Sequence, residues 1–110
     1  MKFNDYQEES QKTVAFRDKK IPGIVYCALK LAGEAGEVAE KIGKIYRDDD
    51  GKFTHEKELA IAYELGDVLW YVAAITSEIG YQLDDIAQMN IDKLQDRLKR
   101  GVIQGSGDNR

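Results

Sequence analysis

Apolar residues recur every three to four positions along most of this chain, and no segment alternates apolar with polar residues as a half-buried strand would. That periodicity restricts the fold to packed helices. The one proline, Pro22, and the glycine- and charge-rich stretches cut the pattern into four. The first helix is expected from Asn4 or Asp5, as N-cap, to Arg17. Proline disfavours helix at the residue before it, so the stretch up to Gly23 breaks the helix. The second is expected over about Ile24–Tyr46, ending in the charged turn Arg47-Asp48-Asp49-Asp50-Gly51-Lys52. The third is expected over about Glu56–Ile79, with Gly80 as C-cap. The fourth runs from Leu83 or Asp84 to Arg100 and stops at Gly101. The fold class is therefore all-α, a four-helix, bundle-like single domain.

A chain of 110 residues is one domain's worth. So small a chain buries a modest share of its surface alone, and its core is expected to be completed by oligomerisation. Acidic residues number 20 against 16 basic, a net of −4, which argues against a dedicated binder of nucleic acid polymer. The charge is uneven: residues 93–110 carry +3 and the remainder −7. A single cysteine, Cys27, excludes an intrachain disulfide and a cysteine-based zinc site. A single histidine, His55, excludes a multi-histidine metal centre within one chain and leaves little room for histidine-dependent nucleophilic catalysis. The polar start Met1-Lys2-Phe3-Asn4-Asp5 carries no hydrophobic signal segment, and no apolar run approaches the ~18 residues of a membrane span. The expectation is a cytoplasmic protein, with no membrane partner, whose chemistry comes from carboxylates. Residues 101–110, with glycines at 101, 105 and 107, are expected to be a flexible or partner-ordered tail.

Two carboxylate pairs stand where apolar residues belong. The apolar stripe of the second helix is Cys27, Leu31, Val38, Ile42 and Ile45. At about 100° per residue, Glu34 falls inside it, Glu37 at its edge and Glu40 on the far side. The third helix repeats the pattern: its stripe is Ile61, Val68, Val72, Ile75 and Ile79, with Glu64 inside and Asp67 at the edge. If the two helices pack antiparallel, Glu34, Glu37, Glu64 and Asp67 converge. An ionised carboxylate in a core stripe is costly unless paired or bound to a metal. A buried salt-bridge network with Lys30 and Lys41 is the competing arrangement, and buried ion pairs contribute little stability. Hard oxygen ligands suit Mg²⁺, with Mn²⁺ as the alternative. Mg²⁺ completes its shell with waters and phosphates, so the implied chemistry is phosphoryl or nucleotidyl transfer to water. A di-iron bundle would need Glu-x-x-His on two helices, and neither pair is followed by histidine.

The run Leu31-Ala32-Gly33-Glu34-Ala35-Gly36-Glu37-Val38-Ala39-Glu40 is followed by Glu64-Leu65-Gly66-Asp67-Val68-Leu69-Trp70-Tyr71. Asn90-Ile91-Asp92-Lys93-Leu94-Gln95-Asp96-Arg97 and Gly105-Ser106-Gly107-Asp108-Asn109-Arg110 come after these. Over roughly residues 24–110 this ordered set resembles the MazG-like nucleoside triphosphate pyrophosphohydrolases of the all-α NTP pyrophosphatase superfamily. The resemblance implies Mg²⁺-dependent hydrolysis of a nucleoside or deoxynucleoside triphosphate to monophosphate and pyrophosphate, as house-cleaning of the nucleotide pool. It implies that Glu34, Glu37, Glu64 and Asp67 are metal ligands and catalytic carboxylates. It also implies a homodimer or homotetramer with helices of two chains at each site. On the fourth helix, Lys93 and Arg97 with Asn90 then read as phosphate contacts, arginine being a planar fork and lysine a point charge. Tyr71, near the face of Glu64, reads as lining the nucleotide pocket; Trp70 points off the stripe and reads as a packing or interface residue. Relatives that prefer pyrimidines carry tryptophan seven residues after the second glutamate; Lys44 stands there, so no base is inferred. Two alternatives remain: a non-enzymatic helical interaction module, and a phosphoribosyl-ATP pyrophosphohydrolase of the same superfamily.

Overall fold

A computed structural model describes residues 1–15 and 20–110. It holds four helices and, among the described residues, no strand: α1 (Phe3–Gln11), α2 (Gly23–Asp48), α3 (His55–Glu78) and α4 (Leu83–Arg100).

The ends follow from local chemistry. Helix α3 begins where the Thr54 hydroxyl accepts the Lys57 amide at 3.2 Å, a side-chain cap for a donor the helix itself leaves free. It ends at Gly80, whose φ of 78° allows the Tyr81 amide to reach back to the Thr76 carbonyl at 3.0 Å. Gly101, at φ 71°, closes α4 in the same way, with the Val102 amide on the Arg97 carbonyl at 2.9 Å. The turn after α2 needs Gly51 at φ 75°, and a Cβ there would lie 2.7 Å from the Tyr46 ring.

Helix α1 is shorter than its sequence suggests and starts earlier. Its N-cap is Lys2, whose amide donates to the Asp5 carboxylate at 3.0 Å. Asn4 caps another helix: its Oδ1 accepts the Asp84 amide at 3.0 Å, and Gln7 Oε1 accepts the Leu83 amide at 2.7 Å. Gln7 Nε2 also donates to Ser77 Oγ and to the Tyr81 carbonyl. Two α1 side chains thus satisfy the free donors of the α4 start and hold the α3–α4 corner. The helix stops at Gln11; the sequence-based end, Arg17, lies outside the described residues.

Helices α2 and α3 form the main antiparallel pair. Their register sets Tyr26 against Tyr71, Glu34 against Asp67, Lys41 against Glu64 and Asp49 against Lys57. Helix α3 also packs against α1 and α4. By length and composition it is apolar enough to cross a membrane, where the sequence reading expects no such run, and 17% of its apolar stretch is buried within the chain. Among the described residues α2 and α4 share no face, so the four helices do not close into a bundle within one chain. The predicted stripe of α2 is buried or half-buried throughout. That of α4 is covered only at Leu83 and Ala87; Ile91, Leu94 and Leu98 are exposed, Leu98 at 70%. The fully buried core is small: Cys27, Ile45, Ala73, Ala74 and Leu83. The radius of gyration is 16.9 Å, against about 13 Å for a compact domain of this length. The chain exposes 8176 Å², about 2,000 Å² more than a compact monomer of its mass.

Candidate active site

Helix α2 supplies Glu34, and α3 supplies Glu64 and Asp67. One carboxylate oxygen from each lies within 4.8 Å of the others. Glu34 and Glu64 are half-buried and Asp67 is exposed. The i, i+3 spacing puts the two α3 groups on one face, and the antiparallel register brings Glu34 to them. Glu37 stands apart. Three residues on from Glu34 is about 60° short of a full turn, which carries it out of the α2–α3 seam to an exposed position. It still acts on Glu34 through its charge.

Burial and like charge act together at the cluster. The Glu34 carboxyl is raised above its ordinary value, by burial first and then by Asp67, with Glu64 and Glu37 adding to this and Lys30 opposing it. Among the described residues no basic nitrogen lies within 4 Å of Glu34 or Asp67, and Glu64 has one, Lys41 Nζ at 3.7 Å. A structural salt-bridge network would neutralise these groups; this arrangement leaves them short of positive charge. Three converging carboxylate oxygens with that deficit are a fitting donor set for a hard divalent cation.

Beside Glu34 and Asp67 opens a cleft of about 470 Å³, walled by Thr13, Ala15, Tyr26, Trp70 and Tyr71. Tyr71 lines it. Its phenol is pushed up by burial first, then by the neighbouring Tyr26 and by Glu34. Trp70 packs within the cleft wall. Its ring meets Tyr71 edge-on at 4.9 Å and 75°, and its indole N–H donates to Thr13 Oγ1 at 2.8 Å. Trp70 and Tyr71 follow Asp67 by three and four residues, a spacing that already puts both near its face. Tyr26 has a weaker signal, two turns ahead of Glu34. Thr13 and Ala15 have none, because they reach the cleft through the path of the chain after α1.

The α4 residues stand elsewhere. Among the described residues α4 does not touch α2, and the carboxylate within 4 Å of Lys93 and Arg97 is Asp108, not one of Glu34, Glu37, Glu64 or Asp67. Arg97 is buried, with 4% of its surface exposed, under the C-terminal segment. It donates to the Asp108 carbonyl at 2.9 Å, and both it and Lys93 lie 3.4 Å from Asp108 Oδ1. These two cations, Lys93 first, hold the Asp108 carboxyl below its ordinary value. Asn90 is exposed one turn before Lys93. Residues 101–110, expected to be loose until a partner orders them, fold back on α4. The Arg110 guanidinium donates to the carbonyls of Val102, Ile103 and Gly107, and Arg100 donates to the Arg110 carbonyl.

Comparison with known proteins identifies the family. The family model described as MazG nucleotide pyrophosphohydrolase domain matches residues 26–102, which hold the three carboxylates and all of α4. The Gene 37 protein of Mycobacterium phage L5 is 51% identical over 90 residues, covering 82% of this chain and 79% of that protein. No solved structure matches.

Proposed function

Because this chain belongs to the MazG nucleotide pyrophosphohydrolase family, we propose that it cleaves nucleoside triphosphates between the α- and β-phosphates, in a Mg²⁺-dependent reaction. The observation that carries this reading is the junction of an acidic cluster with an aromatic cleft at Glu34 and Asp67. Tyr26, Trp70 and Tyr71 form the walls against which a nucleoside lies flat or edge-on. Glu34, Glu64 and Asp67 hold the cation. When bound, Mg²⁺ neutralises phosphate charge and lowers the pKa of water. A water oxygen bonds to the α-phosphorus, and the bond from that phosphorus to the α–β bridging oxygen breaks. The electron pair leaves with pyrophosphate, and a carboxylate of the set takes the water's proton. The physiological use that fits is removal of unwanted triphosphates from the nucleotide pool.

A second copy of the chain is part of this proposal. Lys93 and Arg97 lie beside Asp108 rather than the cluster carboxylates of their own chain, and the uncovered α4 stripe of Ile91, Leu94 and Leu98 continues from them. The excess exposed surface of about 2,000 Å² per chain is in the range that obligate homodimers bury. Docking α4 of one chain on the α2–α3 pair of another covers that stripe and brings two cations towards the phosphates.

Incubation with each ribo- and deoxynucleoside triphosphate and Mg²⁺ tests the activity. The expected products are monophosphate and pyrophosphate, with turnover lost in Glu34→Ala. Release of orthophosphate contradicts the bond assignment, and no turnover of any triphosphate removes the enzyme reading. The one tryptophan reports the cleft directly: nucleotide binding is expected to change Trp70 fluorescence. Light scattering of the eluting protein is expected to give a dimer or tetramer, reduced towards monomer by Leu98→Glu.

A further inference from the structure

The α2–α3 seam continues past the carboxylates, away from the aromatic cleft, into a second recess of about 170 Å³. Ile45 and Ala60 line it with Lys41, Lys44 and Lys57, and one carboxylate, Asp49, stands among the three lysines. The antiparallel register gives the seam a fixed order. Tyr26 and Tyr71 come first, then Glu34 with Asp67, then Glu64 with Lys41, and last Lys44 with Lys57. Glu34 and Lys41 are seven residues apart, about 10 Å along the helix. A nucleoside triphosphate has the same order of chemistry along its length: an aromatic base, the phosphate to be attacked, and a polyanionic end.

We propose that this lysine-rimmed recess is the subsite for the pyrophosphate end of the substrate, with Lys41 as its principal ligand. The proposal rests on the activity assigned above and fixes the direction in which the substrate lies. The three ammonium groups are not equivalent. Lys44 is tied to Glu40 at 2.8 Å, one turn earlier on its own helix, and Lys57 to Asp49 across the turn. Lys41 is joined to Glu64 at 3.7 Å, beyond hydrogen-bond length. Glu64 belongs to the cation cluster, and a divalent cation on its carboxylate takes over the charge that Lys41 faces in the free protein. The ammonium then has a phosphate oxygen as its natural partner. The apolar side chains of Ile45 and Ala60 lower the polarity around the contact, which strengthens it. Size agrees with the assignment: the larger cleft takes the nucleoside and the smaller recess the inorganic end.

Calorimetric titration of the purified protein with inorganic pyrophosphate in Mg²⁺, and separately with nucleoside monophosphates, tests the subsite without turnover. Lys41→Gln is expected to weaken pyrophosphate binding by about ten- to a hundredfold, the range for loss of a charge-assisted hydrogen bond. Monophosphate binding is expected to stay unchanged, and Lys41→Arg to restore most of the pyrophosphate affinity. A purely structural Lys41, acting through Glu64, would weaken both products alike, and that result overturns the proposal. So does unchanged pyrophosphate binding in Lys41→Gln, or a wild-type protein that turns over triphosphate without binding pyrophosphate. Failure of the activity itself is seen separately, as absence of turnover in the wild-type protein.

Discussion

Replacing Glu34 by glutamine is expected to stabilise the metal-free protein. The three carboxylate oxygens of the cluster lie within 4.8 Å of one another, with no basic nitrogen within 4 Å of Glu34 among the described residues. At that separation two unit charges repel by about 1 kcal/mol in water and about 3 kcal/mol at the effective dielectric of a protein surface. Glu34 faces two such neighbours and is half-buried, while Lys30 gives back part of the repulsion. A net gain of about 1 kcal/mol for Glu34→Gln in EDTA follows, a rise in Tm of roughly 4 °C or more for a domain of this size. Mg²⁺ reverses the order. A cation at a hundred times its Kd adds about 2.7 kcal/mol to the protein that binds it, and the glutamine variant forgoes most of that. Thermal unfolding by circular dichroism, at one protein concentration with EDTA or with Mg²⁺, gives all four values. A less stable Glu34→Gln in EDTA would mean that the carboxylate is held by ion pairs, as in a helical interaction module. Equal stabilisation of both proteins by Mg²⁺ would remove Glu34 from the cation site.

Three further outcomes follow from local contacts. Gln7→Met removes the acceptor of the Leu83 amide and the donor to Ser77 and Tyr81, so urea unfolding is expected to show a loss of about 1–3 kcal/mol. Gly51→Ala puts a Cβ at φ 75° and 2.7 Å from Tyr46, and is expected to cost about 1–2 kcal/mol in the same assay. The Asp108 carboxyl is held below its usual 3.8 by Lys93 and Arg97, so its folded value lies under its unfolded one. Its contribution is full above the unfolded value and is lost as pH falls through the folded value. NMR titration of the Asp108 carboxyl is therefore expected to show a midpoint below that of a free aspartate, and Lys93→Ala to move that midpoint up.

Much of the carboxylate site was legible because it violates a local rule. Charged residues at Glu34 and Glu64 interrupt apolar stripes, and an interruption of that kind is visible without any tertiary information. The ends of α3 and α4 were legible for the same reason, since a glycine after the last apolar position has a local geometric meaning. Asn4 shows the limit of such reading. By itself it is a good N-cap for α1, and it does cap a helix, but the helix is α4, eighty residues on. Trp70 shows another limit. Measured against the apolar stripe it points outward, yet the chain after α1 comes up beside it, and the Thr13 hydroxyl turns an outward face into a cleft wall.

Arg97 carries that argument further. In sequence it is a basic residue near a helix C-terminus, suited to solvent or to phosphate, and nothing local marks it for burial. It is buried because residues 101–110 fold back over it, and they stay folded because Arg110 gathers three carbonyls and Arg97 itself holds the Asp108 carbonyl. Burying an arginine costs unless its donors are satisfied, so helix end and tail are each a condition of the other. Lys93, still partly exposed, faces the Asp108 carboxylate, a solvent-exposed anion 3.4 Å away. Among the described residues the α4 cations thus already hold an anion that is not one of the cluster carboxylates of their own chain. Phosphate binding there requires both that a second chain bring its substrate to α4 and that Asp108 yield its place. Lys41 needs neither condition, since it already lies in the seam beside Glu64.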